Sequence, residues 1–148
     1  MKSVYRVLAY LIAAGVVLQM ADIAYAWFGV LNEVDSGAVL DENFEGNAGH
    51  ALHGILGMTL IPLLGLVLLI VSFFAKVPGG VKWAAVVFGV IVLQVLLAFV
   101  SFGVPVIGLL HGVNALVLLG VAAMAAQKAN GAGLPMHGGA RSSGTRVS

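Results

Sequence analysis

The chain has 148 residues, 61% of them apolar and only 9% charged, with a net charge of +1. A soluble domain carries roughly a quarter charged residues, so a mean hydropathy of +1.09 places this chain in a membrane. With no cysteine it has no disulfide, thiolate metal site, iron–sulfur cluster or c-type haem attachment, and its few dispersed basic residues speak against a nucleic-acid partner.

Four apolar runs, at about 7–30, 50–74, 83–103 and 106–126, each supply the roughly 20 residues that a bilayer core requires. The expected fold is all-α: an antiparallel four-helix transmembrane bundle over residues 1–128, followed by a disordered cytoplasmic tail over 129–148 rich in Gly and Ser. Lys2, Arg6, Lys76, Lys82, Lys128, Arg141 and Arg146 all fall on one side, which the positive-inside rule makes the cytoplasm. Both termini are then cytoplasmic, and the acidic loop 31–48 with Glu33, Asp35, Asp41, Glu42 and Glu45 is extracytoplasmic. Tyr5, Trp83, Tyr25 and Trp27 mark interfaces at the expected depths.

The first run also has the basic, apolar and small-residue layout of a signal peptide, ending at Ala24-Tyr25-Ala26. Asp22 and the apolar continuation to Val30 favour an uncleaved span. Pro62 interrupts the second run and predicts a bend. Val77-Pro78-Gly79-Gly80 is a turn, and Gly103-Val104-Pro105 forces the third and fourth helices to be antiparallel neighbours. Val17-Leu18-Gln19 recurs as Val92-Leu93-Gln94, each ahead of a helix with a histidine near its outer end. A duplicated helical hairpin would produce that pattern.

An ionisable side chain at membrane depth is costly and marks a candidate site. His53 and His111 lie at similar depth on the second and fourth helices, and an imidazole from each side is how helical bundles hold b-type haem. Gly57 shares a face with His53, and Gly108 and Ala115 with His111, leaving room for a macrocycle. Asn114 shares the His111 side and either orients that imidazole or bonds a neighbouring helix. The cofactor-binding set is thus His53, His111, Gly57 and Asn114.

His50 lies nearer the interface. With His53 and His111 it completes the candidate metal set, or with His53 and Glu45 or Glu42 it forms a looser clamp. Gln19 and Gln94 are expected to bond neighbouring helices, and Asp22 to reach the water of the acidic loop. His137 is expected to be inert.

His53-Gly54-Ile55-Leu56-Gly57 and Leu110-His111-Gly112-Val113-Asn114 resemble motifs of a family of uncharacterised bacterial four-helix membrane proteins, over about Tyr5 to Lys128. More distantly, the layout is similar to one half of a haem A synthase, whose four-helix halves carry histidines at the outer ends of their second and fourth helices. That resemblance implies haem ligation by His53 and His111 in a bacterial inner (plasma) membrane. The chain departs from the synthase at Gly54, where an arginine is usual, at His50, where a glutamate is expected, and in having one half only.

The expected function is haem b binding in membrane electron transfer or haem handling. The alternative is a cofactor-free accessory subunit of a larger membrane complex or homo-oligomer, and no motif decides whether the chain is an enzyme. A solute transporter ranks third, because the bundle has few buried polar groups.

Overall fold

The computed structural model describes residues 1–131. It is all-helical there: α1 (Lys2–Asp35), α2 (Ala48–Ser72), α3 (Gly80–Gly103) and α4 (Gly108–Gly131), the last preceded by a 3₁₀ turn at Pro105–Ile107. Each helix is long and apolar enough to cross a bilayer, and the chain is an integral membrane protein. In sequence order the helices pack as a ring, α1 on α2, α2 on α3, α3 on α4 and α4 on α1. The helices that carry His53 and His111, α2 and α4, therefore stand diagonally opposed.

The ends differ from the apolar runs for local reasons. At 34 residues α1 is about 51 Å long, well beyond a bilayer core of about 30 Å, because its polar ends remain helical outside the apolar span. Asn47 starts α2 two residues early by accepting the Gly49 N–H through its side chain. At the far end α4 runs to Gly131, so Ala129–Gly131 are helical rather than part of a tail. Ala125 and Ala126 are buried and Arg6 donates to Asn130 Oδ1 at 3.0 Å, tying the first turn of α1 to the last of α4. Residues 132–148, including His137 and the rest of the expected tail, lie outside the described residues.

The core occupies the half of the bundle nearest the start of α1. Tyr5, Ala9, Ile12 and Val16 repeat at helical spacing along α1 and meet Leu68 of α2, Ala84 and Val87 of α3, and Ala122 and Ala126 of α4. Gly79 takes a left-handed φ of +69° to start α3, which brings the Gly80 carbonyl onto the Tyr5 hydroxyl at 3.0 Å. Tyr5→Phe leaves that buried carbonyl with one partner fewer and should cost about 1 kcal/mol, read as a lower unfolding midpoint in detergent.

Pro62 does more than bend α2. Ahead of it, Leu56–Leu60 widen into a π-helical turn in which the Ile61 N–H reaches back five residues to the Leu56 carbonyl. Such a bulge relieves the crowding between a proline ring and the preceding turn. It lies within α2 between His53 and the packed half.

Candidate site: a histidine-lined cleft between two hairpins

Above the core, a cavity of about 470 Å³ opens at the centre of the bundle. One residue from each helix borders it on the packed side: Val16, Ile61, Ile91 and Leu118, all buried. His53 and His111 line it from the two diagonal helices, with ring centroids 6.4 Å apart and planes at 62°. Gly54, Gly57, Gly112 and Ala115 also line it, and nothing lies within 4 Å of where a Cβ would stand on Gly54 or Gly112. Gly108 instead faces Ser101, away from the cleft.

Each histidine is anchored in the same way. The His53 Nδ1 lies 3.0 Å from the Gln19 backbone oxygen, and the His111 Nδ1 lies 3.1 Å from the Gln94 backbone oxygen. A carbonyl only accepts, so each Nδ1 carries a proton, and in a neutral ring the lone pair is then on Nε2. Every one of these bonds stays within one hairpin, α1–α2 or α3–α4. The recurring Val-Leu-Gln thus marks a shared contact, and it was the one signal in the sequence that pointed to both glutamines.

The surroundings differ between the hairpins. Asp22 is not turned to loop water, as its position in the chain suggested. Its side chain is 6% exposed, and its Oδ1 accepts from His53 Nδ1 at 2.9 Å while its Oδ2 accepts from Gln19 Nε2 at 3.1 Å. Depth along the chain misplaced it, because the turn of α1 that carries it faces α2. In the second hairpin Asn114, itself buried, donates to the Val90 carbonyl at 3.1 Å and to Gln94 Oε1 at 2.7 Å. The Gln94 amide nitrogen then lies 3.2 Å from His111 Nε2. Asn114 is outside the cavity lining and acts on His111 only through Gln94.

His50 belongs to a different local structure. It completes the helix cap of α2, its Nδ1 accepting the Asn47 N–H at 3.2 Å, and its ring meets the edges of Trp27 and Phe44. It does not line the cleft. Among the described residues no group of three or more His, Asp or Glu side chains is arranged to hold a metal ion, the His50 and acidic-loop combination included.

Comparisons of the chain with family models, with curated proteins and with solved structures return no match. What the cleft does is therefore argued from its own side chains.

Proposed function

We propose that the cleft binds a b-type haem through His53 and His111, and that the protein serves membrane electron transfer or haem handling. One observation carries this reading: two imidazoles on diagonal helices line the same glycine-containing cavity with centroids 6.4 Å apart and planes at 62°. That spacing would allow both imidazoles to hold one metal ion, each through a bond of about 2 Å. The donor set supports it as well, since both Nδ1 protons are directed at backbone carbonyls, an arrangement that fixes ring orientation in metal-binding histidines. The cavity falls within the size range of small-molecule sites, about 300–1,000 Å³.

A haem held between two histidines supplies one-electron chemistry. The chain's own residues do the rest: the two backbone carbonyls orient the rings, Gly54, Gly57 and Gly112 keep side chains out of the cleft, and the border of Val16, Ile61, Ile91 and Leu118 excludes water from the packed side. In the membrane this reading puts both termini in the cytoplasm and the cleft near the extracytoplasmic face, consistent with Lys2, Arg6, Lys76, Lys82 and Lys128 lying toward the opposite end.

A second reading is favoured by one contact. Because the Gln94 amide already meets His111 Nε2, both ring nitrogens of that histidine are hydrogen-bonded without a cofactor, as a cofactor-free subunit in a larger assembly requires. A visible spectrum separates the two. Protein purified after haem-replete expression should show Soret absorbance with low-spin bands, and His111→Ala should abolish the low-spin form. A wild-type protein without Soret absorbance defeats the haem reading, and loss of assembly without spectral change in the histidine variants would favour the subunit.

A further inference from the structure

The hairpins match at their glutamine and histidine and differ in what stands behind them. Three residues after Gln19 comes Asp22; three after Gln94 comes Leu97. In the first hairpin the carboxylate accepts from His53 Nδ1, which also meets the Gln19 carbonyl, and from the Gln19 amide, and His53 Nε2 has no hydrogen-bond partner among the described residues. In the second, Asn114 pins Gln94 Oε1 and so turns the Gln94 N–H onto His111 Nε2. A carboxylate behind a metal-binding imidazole raises its basicity. A donor on Nε2 does the opposite, because it occupies the lone pair with which the ring would bind.

We propose that, on the haem reading above, the two histidines are unequal ligands. His53 is the permanent one and His111 the exchangeable one, and the His111 side of the cleft admits a small neutral ligand of the carbon monoxide class. Asp22, accepting from His53 Nδ1, would strengthen His53 as a holder of the group, whereas the Gln94 amide would compete for the His111 Nε2 lone pair and leave that side to an incoming lone-pair donor. In the exchange no electron is transferred and no proton is released. The 3.2 Å contact between Gln94 Nε2 and His111 Nε2 is the hydrogen bond that competes for this lone pair.

Carbon monoxide added to the reduced, haem-loaded, full-length protein tests this. Wild type should show a shifted Soret band. His111→Ala should keep its haem and bind carbon monoxide at least about tenfold more tightly, whereas His53→Ala should lose most of its haem. Gln94→Leu, which removes the competing donor, should keep its haem and bind carbon monoxide several-fold more weakly. A wild-type Soret band that carbon monoxide leaves unchanged overturns the inequality and leaves the haem reading standing, and so does a His53→Ala variant that keeps haem better than His111→Ala. A wild-type protein with no Soret band overturns both.

Discussion

Gly49→Val should destabilise the first hairpin strongly. A Cβ on Gly49 would stand 2.7 Å from the Asp22 carbonyl oxygen, 2.8 Å from the Ala26 Cβ and 2.9 Å from the Ala26 backbone nitrogen. Those atoms belong to α1 itself, so relief requires the two helices to separate. Separation in turn stretches the Asn47 bond to the Ala26 carbonyl and the Asp22 bond to His53. Overpacking of this kind costs about 1–3 kcal/mol before the lost hydrogen bonds are counted.

Gly65→Ala is the internal comparison. There a Cβ would meet Ile91 Cδ1, the far end of a flexible side chain, at 2.5 Å and the Phe88 ring at Cδ2 at 3.3 Å, with no backbone atom among the close neighbours. Unfolding curves in a fixed detergent should therefore rank Gly49→Val well below Gly65→Ala. Equal midpoints would show that the α1–α2 approach is looser than these distances state.

The same approach explains what could be read from the chain and what could not. Four spans and their tight connections were legible because length and apolarity decide them, and Gly103-Val104-Pro105 leaves the chain no room to do anything else. The facing of the histidines was not legible. Helices apolar on all sides carry no amphipathic stripe to reveal their inner face, so His50 and His53 differ in the sequence only by an estimate of depth. The Asn47 cap decides between them, because it takes His50 for the start of α2 and leaves His53 to face α1.

Asp22 was out of reach for a related reason. Its partner lies 31 residues away, across a loop whose length does not fix the register of α1 against α2. Pro62 announced a bend, but the π turn ahead of it had no signature of its own. What the sequence did carry was the repeat. Its glutamines read there as helix-packing residues, and each in addition presents its backbone oxygen to a histidine.

Asp22→Leu should be the most damaging change at the cleft itself. The carboxylate is the acceptor for two donors, the His53 Nδ1–H and the Gln19 amide, and leucine of similar size accepts neither. His53 keeps the Gln19 carbonyl, and its side chain is 28% exposed, so the cost falls below the roughly 3–5 kcal/mol of a broken, fully buried ion pair. About 1–3 kcal/mol is expected, most of it from the Gln19 amide left without an acceptor. Asp22→Asn should recover much of that loss, since its side-chain oxygen still accepts from His53 and the Gln19 amide can turn its own oxygen toward the new NH₂. If Asp22→Asn proves as destabilising as Asp22→Leu, charge rather than hydrogen bonding holds the pair. A double-mutant cycle with His53→Ala decides how much of the effect passes through the histidine. Residues in direct contact couple by about 0.5–3 kcal/mol, whereas simple additivity would mean that Asp22 serves Gln19 alone and leaves His53 to its carbonyl.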